Sequence, residues 1–248
     1  MTVLILALIA GAVVGLTLGA LGGGSVLAVP ALIYLLGFTP AAATTASLII
    51  VTATSLTALY AHARAGHVRW KAGAAFAAAG ILPAAAAGAG ATHMPQAVLT
   101  VAFATTAVFS AIKMLRPADT AHPGSGGVRP GKAAGAGAGL GTLTGLLGVG
   151  GGFLAVPALV TVLAFEMEAA VGTSLLVITA NSLASLATRS GAAASLDWAL
   201  IGPFIGTAIL GAWDGKRMAA KVAGHRLQHI FAMVLLVVAA FMLADAVT

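Results

Sequence analysis

The sequence has no cysteine and very few charged residues for its length. Without cysteine there is no disulfide framework, thiol chemistry or iron–sulfur site. Charged residues make up 7% of the 248 positions, whereas soluble domains carry about 25%. Because a chain this poor in charge cannot cover a globular core with a water-exposed surface, the composition excludes an ordinary soluble protein.

The sequence is instead rich in long apolar runs, and hydrophobic residues make up 60% of it. The strands of an outer-membrane barrel would alternate apolar and polar residues, whereas runs such as 2–21 and 72–91 are almost continuously apolar. We therefore predict an all-α integral membrane protein. Its obvious helices are expected at 2–20, 42–61, 72–91, 97–115, 133–148, 169–188, 197–213 and 227–245.

The net charge of +6 is the one feature that suggests a nucleic-acid partner. The basic residues, however, lie between the apolar runs, in the connections 62–71, 113–132 and 214–226, and only Arg189 lies elsewhere. Lys and Arg in such connections orient membrane helices. We therefore expect a lipid bilayer, and not nucleic acid, as the partner of this chain.

Two glycine-proline signatures stand about half a chain apart. The first, 19–32, reads GALGGGSVLAVPAL, and the second, 145–159, reads GLLGVGGGFLAVPAL. The likeness continues at an offset of 127 residues, where Ser47 aligns with Ser174 and Thr52 with Thr179. Such self-similarity indicates an internal duplication. It predicts a first membrane repeat at 1–115, a cytoplasmic linker at 116–132 and a second membrane repeat at 133–248.

The topology depends on the short segments 25–37 and 153–165 that follow the glycines. If these segments do not cross the membrane, the chain has eight membrane spans. The basic cluster at 214–226 then lies on the other side of the membrane from the two remaining basic clusters. If each short segment is part of a helical hairpin, eleven of the twelve basic residues share one side, which the positive-inside rule favours. The prediction is two inverted-topology halves, each of about five hydrophobic segments including a glycine-broken short or re-entrant hairpin. The three basic loops are then cytoplasmic, and full spanning or re-entry stays open.

These signatures, with the Gly-Thr-Ser-Leu element at 172–175, resemble the TauE/SafE sulfite-exporter family of membrane permeases. The resemblance covers both halves. It implies a multi-pass protein of the bacterial inner membrane that moves sulfite, organosulfonates or related sulfur-containing anions. The first half departs from the pattern, because Ser25 replaces the third glycine and residues 44–47 read TTAS where the second half has VGTS. We therefore do not expect the two halves to bind symmetrically.

The glycine clusters also have a physical meaning of their own. A helix N-terminus presents unpaired N–H groups and a partial positive charge, and glycine allows an anion to approach the backbone closely. If the repeats are inverted, the two helix starts converge from opposite sides. Hydroxyls on the helices that follow, and the side-chain amide of Asn181 within an apolar run, complete the predicted substrate site. The candidate substrate-binding residues are Gly22, Gly23, Gly24, Ser25, Thr44, Thr45, Ser47, Gly150, Gly151, Gly152, Thr173, Ser174 and Asn181.

The predicted function is a secondary transporter for a small anion that works by alternating access. The alternatives are a passive anion channel or a non-transport membrane protein. An enzyme is not expected, because the six acidic residues lie in loops or at helix ends and no catalytic, metal or cofactor cluster is evident. A coupling proton or ion is a candidate partner. Glu166 is interpreted as a solvated carboxylate, and a role in proton coupling is the alternative. Oligomeric state is left open.

Overall fold

The computed structural model describes residues 2–91, 152–187 and 196–247 except 223, together with parts of 101–115 and 135–142. Within these ranges every regular element is a helix, as predicted for the fold class. Three of them are long and apolar enough to cross a membrane: Thr2–Leu21, Ala42–Arg64 and Met167–Leu186. The helices are α1 Thr2–Leu21, α2 Ser25–Pro30, α3 Pro40–Arg64, α4 Trp70–Ala91, α5 Gly152–Leu163, α6 Met167–Ala187, α7 Trp198–Ala219 and α8 Gly224–Val247.

Helices α1 and α2 form a hairpin. The chain turns sharply after α1, so that Gly24 lies beside the backbone of Val14 and Leu18. Helix α2 then runs back along α1 and continues as a π-helical turn, Ala31–Leu35. Tyr34 and Leu35 line the same groove as Leu6, near the start of α1. The segment after the first glycine cluster therefore returns to the end of the bundle where α1 began.

The turns that follow α2 and α5 repeat each other at an offset of 127 residues. The N–H of Phe38 donates to the Leu32 carbonyl at 3.0 Å, and the N–H of Phe165 donates to the Leu159 carbonyl at 3.1 Å. Each turn also contains one residue with positive φ, Gly37 at 72° and Ala164 at 52°. The duplication seen in the sequence thus extends to backbone conformation, even where a non-glycine residue must adopt the left-handed region.

Helix α1 packs most extensively on α7 through its glycines. A Cβ added at Gly15 or Gly19 would overlap the carbonyl oxygen of Ala208 or Ala212, and one at Gly11 would overlap the Phe204 carbonyl. Small residues at four-residue spacing let two backbones approach closely. Gly11, Gly15 and Gly19 therefore serve helix packing. The two helices run parallel, because the contacts advance together along both chains.

The second half makes the reciprocal contact. A Cβ at Gly141 would overlap the carbonyl oxygen of Gly80 in α4, and Gly137 lies one turn earlier against Phe76. Helices α4 and α7 both begin with an exposed tryptophan, Trp70 and Trp198. The first segment of each half therefore packs against the corresponding helix of the other half.

Helices α3 and α6, which align with each other at the offset of 127, run antiparallel. The Oγ atom of Ser55 lies 2.9 Å from Oγ1 of Thr179. In the loop just after α3, Nε2 of His67 lies 3.3 Å from the Glu168 carboxylate at the start of α6. Residue numbers thus rise along one helix as they fall along the other.

The loops 65–69 and 220–222 lie at the same end of the bundle, which we call the basic end. His67 and Ala220 line one small cavity there, and the Lys216 ammonium donates to the Ala61 carbonyl at 2.6 Å. Thr39 lies at the opposite end, because α3 is 25 residues long. Seven basic residues belong to the basic end: Arg64, Arg69, Lys71, Lys216, Arg217, Lys221 and Arg226.

Candidate functional site

The first glycine cluster forms the tip of the α1–α2 hairpin. All four residues from Gly22 to Ser25 are buried. Gly22 has a φ of 69°, and its N–H donates to the Leu18 carbonyl at 2.9 Å. A Cβ at this position would lie 2.6 Å from Oγ of Ser174 and 3.0 Å from the Val156 side chain. Both the backbone conformation and the close approach of the second half therefore require glycine here.

Gly24 has a different reason to be glycine. A Cβ there would overlap the backbone N of Leu18 and lie 2.5 Å from the Val14 carbonyl oxygen. Its small size is therefore explained by the packing of the tip on α1, and a bulky residue at position 24 would disturb the hairpin itself. Gly24 is the N-cap of α2, with no side chain capping that helix.

Ser25 is the most unusual residue of the tip. It is completely buried, and its Oγ has no hydrogen-bond partner. A buried polar group without a partner costs free energy, and most proteins avoid it. In a hydrophobic protein whose other described hydroxyls mostly bond their own helix, an open hydroxyl at a glycine-lined helix start indicates a ligand position.

The second half contributes Val156 from α5 and Ser174 from α6 to the wall around this tip. The hydroxyl of Ser174 donates to the Val171 carbonyl at 2.8 Å, so in this conformation its proton is engaged within α6. Gly152 begins α5. Gly150 and Gly151, which are predicted to bind the substrate, lie outside the described residues.

The Gly-Thr-Ser element of α6 has mainly a positioning role. Thr173 accepts a hydrogen bond of 3.0 Å from the Arg69 N–H. A Cβ at Gly172 would lie 2.6 Å from the His67 carbonyl oxygen. These two residues hold the loop after α3 against the start of α6, which places Ser174 beside Gly22. The sequence does not reveal this pairing, since the partners are about 100 residues apart.

The corresponding residues of the first half lie near the start of α3. Thr45 and Ser47 are buried and Thr44 is half-buried. Both threonines have interaction partners. All three stand on the helix that follows the hairpin, as the repeat predicts.

A second polar group lies deeper along α3 and α6. Asn181 and Ser182 are buried, and neither Oδ1 of Asn181 nor Oγ of Ser182 has a partner. Ser55 and Thr179 bond each other in the same region. Asn181 was predicted from its cost in an apolar run. Ser55 and Ser182, which align at the offset of 127, were not among the predicted site residues.

The helices of membrane-spanning length are those of a multi-pass membrane protein. Comparison with known proteins narrows this class. The family model for sulfite exporter TauE/SafE matches residues 7–242, and the chain belongs to that family. The similarity of this chain to curated proteins extends over almost its whole length.

Two relatives are from Xylella fastidiosa, and both are named as a probable membrane transporter protein. The one from strain 9a5c is 33% identical over 97% of this chain and 95% of its own length. The one from strain Temecula1 is 31% identical over the same shares. These names are those of transporters and not of enzymes. No solved structure matches the chain.

Proposed function

We propose that this protein is a secondary transporter that moves sulfite, an organosulfonate or a related sulfur-containing anion across the bacterial inner membrane. The substrate class comes from the family. The anion binds at the tip of the α1–α2 hairpin, at the Ser25 hydroxyl and the first N–H groups of α2, with Gly22 and Ser174 beside it, and the start of α5 supplies the second half of the site. Alternating access then exposes this site to one side of the membrane at a time.

The observation that carries this proposal is the unpartnered hydroxyl of Ser25 at a glycine-lined helix start. A hydroxyl proton and the first N–H groups of a helix are donors that suit an oxyanion. No Lys or Arg is needed for such a site. The described basic residues lie at one end of the bundle and not at this site. A site built from neutral donors holds an anion less tightly than a buried cation would, so the anion can leave again.

Several contacts support inverted halves with boundaries near residues 115 and 133. The equivalent helices α3 and α6 run antiparallel. The first segment of each half packs against a helix of the other half. In an inverted pair, the two glycine tips approach the site from opposite sides. With the basic end cytoplasmic, loops 62–71, 113–132 and 214–226 lie inside the cell.

The polar group in α3 and α6 supports alternating access. Two equivalent links are available by the repeat, Ser55 to Thr179 and Ser182 to Thr52. The first is made at 2.9 Å, while Oγ of Ser182 has no partner. An inverted-repeat carrier changes its open side when its halves exchange conformations. We propose that the second link forms, and the first opens, in the opposite state.

The Ser25→Ala variant tests the site with little change in shape. We expect counterflow of radiolabelled thiosulfate or sulfite in proteoliposomes to fall at least about tenfold, the equivalent of about 1.4 kcal/mol of binding. The same variant is expected to be as stable as the wild type or more stable, because it removes a buried unsatisfied group that costs about 1–3 kcal/mol. Thermal unfolding in detergent measures this second effect.

Ser55→Ala is the matched control for stability, because its hydroxyl is bonded and its loss costs about 1 kcal/mol. We expect the free energy of unfolding to stay the same or rise in Ser25→Ala and to fall in Ser55→Ala. If Ser25→Ala transports as well as the wild type, the Ser25 hydroxyl does not bind the anion. Saturable counterflow by the wild type identifies a carrier, whereas flux without counterflow identifies a channel. No counterflow of sulfite, thiosulfate, sulfate or methanesulfonate by the wild type would refute the proposed function.

A further inference from the structure

A cluster of titratable side chains surrounds a cavity of about 30 Å³ at the basic end. It is lined by His62 from α3, His67 from the following loop, Glu168 from α6 and Lys216 from α7. The cavity is large enough to hold a water molecule. Among the described residues, no three His, Asp or Glu side chains are arranged to hold a metal. His, Glu and Lys side chains can bind or release protons.

His62 is the buried member of the cluster, only 4% exposed. Its Nε2 lies 3.2 Å from the carbonyl oxygen of Gly19 in α1. A carbonyl only accepts, so Nε2 carries the ring proton. Nδ1 is then the basic nitrogen of the neutral ring, and it is buried without a partner. The imidazole is held in the tautomer that can accept one further proton.

The other groups connect His62 to solvent. Glu168 and His67 form a half-exposed pair with 3.3 Å between Oε2 and Nε2. The rings of His67 and His62 have their centres 6.1 Å apart. The surface imidazole and the buried imidazole both line the cavity. Lys216 donates to the Ala61 carbonyl, and its positive charge opposes a second positive charge on His62 unless an anion is bound nearby.

The cavity shares its inner wall with the glycine tip. Ala20, two residues before Gly22, lines the cavity, as does Val171. The Cα of Val171 lies 3.3 Å from a Cβ built at Gly22. A proton on His62 thus adds one positive charge directly beside the proposed anion site. By linkage, an anion that binds better when His62 is charged raises the proton affinity of His62 by the same factor.

We propose that His62 is a proton-binding site that couples transport to protons, so that the anion and one proton cross together. The proton comes from the basic end, where Glu168 and His67 meet solvent, and binds Nδ1 of His62 when that atom becomes accessible in the transport cycle. No covalent bond other than N–H forms or breaks. This inference rests on the proposed transport function and names its coupling ion.

The test uses proteoliposomes and thiosulfate, a dianion that carries no proton at neutral pH. For the wild type we expect thiosulfate entry to acidify the lumen, read with an enclosed pH dye, and acid outside to raise its accumulation. His62→Gln keeps an N–H donor for Gly19 but cannot take the proton. In this variant we expect the effect of the pH gradient to fall at least about tenfold, while thiosulfate exchange at equal pH remains measurable.

His225→Gln is the matched control, because His225 is an exposed histidine at the start of α8, and we expect the full gradient effect. A gradient effect that survives in His62→Gln overturns the proposal. Wild-type thiosulfate transport without proton movement overturns it as well, even if His62→Gln does not fold. Both results leave the transport function intact, whereas absence of exchange by the wild type with every probe anion refutes that function instead.

Discussion

Gly22→Ala is expected to abolish most of the anion transport while the protein still inserts and folds. The new methyl group would lie 2.6 Å from Oγ of Ser174, so it separates the hairpin tip from α6 at the proposed site. The residue would also keep a φ of 69°, which costs a non-glycine residue about 1–2 kcal/mol. We expect counterflow to fall more than about tenfold, beyond what the loss of stability explains.

Gly37→Ala separates these two effects. Gly37 has a φ of 72°, and a Cβ there would meet nothing within 4 Å. This control therefore carries the same backbone cost without a neighbour at the substituted position. We expect a similar fall in the free energy of unfolding and nearly unchanged counterflow. If both variants transport equally well, the tip at Gly22 does not bind the anion.

Gly15 is the position where substitution should damage the fold most. A Cβ there overlaps the carbonyl oxygen of Ala208 and comes within 2.7 Å of its Cα. These are backbone atoms of α7 and cannot move aside as a flexible side chain can. We expect Gly15→Ala to lower the free energy of unfolding by about 1–3 kcal/mol and Gly15→Val to prevent α1 from pairing with α7. Thermal unfolding in detergent and the yield of monodisperse protein measure both effects.

Gly206→Ala provides the comparison on α7. A Cβ at Gly206 would meet nothing within 4 Å, and alanine favours a helix over glycine by up to about 1 kcal/mol. We expect this variant to unfold at the wild-type temperature or above it. A Gly15→Ala variant as stable as Gly206→Ala would contradict the close α1–α7 packing.

Much of the fold follows from apolar runs and glycine spacing. The run at 2–20 predicts α1 to within one residue, because a continuous apolar segment can only be a helix in lipid. The predicted helix 197–213 ended six residues too early. Its last turns carry Asp214, Lys216 and Arg217, and the charged residues marked a loop in the sequence. In the structure they continue α7, whose Gly215 still packs on Leu16 of α1.

The candidate site was only partly predictable. The glycines of the tip are conspicuous in the sequence, and Ser25 is predicted with them as the start of the helix that follows. The sequence could not separate Gly22, which faces Ser174, from Gly24, which packs on α1. It also could not assign Thr173 to the backbone of Arg69 or assemble His62, His67 and Glu168. Such distinctions depend on contacts between distant segments, for which a single sequence carries no distance information.

The two turns of the repeat offer the most direct test of the arrangement on which the anion site depends. Thr39 and Glu166 are exposed equivalents at the offset of 127, and the chain has no cysteine of its own. Single cysteines at positions 39, 65, 166 and 220 can therefore be labelled with a membrane-impermeant maleimide in intact cells and in inverted vesicles. We predict that 65, 166 and 220 react from one side and 39 from the other. Labelling of 39 and 166 from the same side would contradict the inverted halves and the site between them.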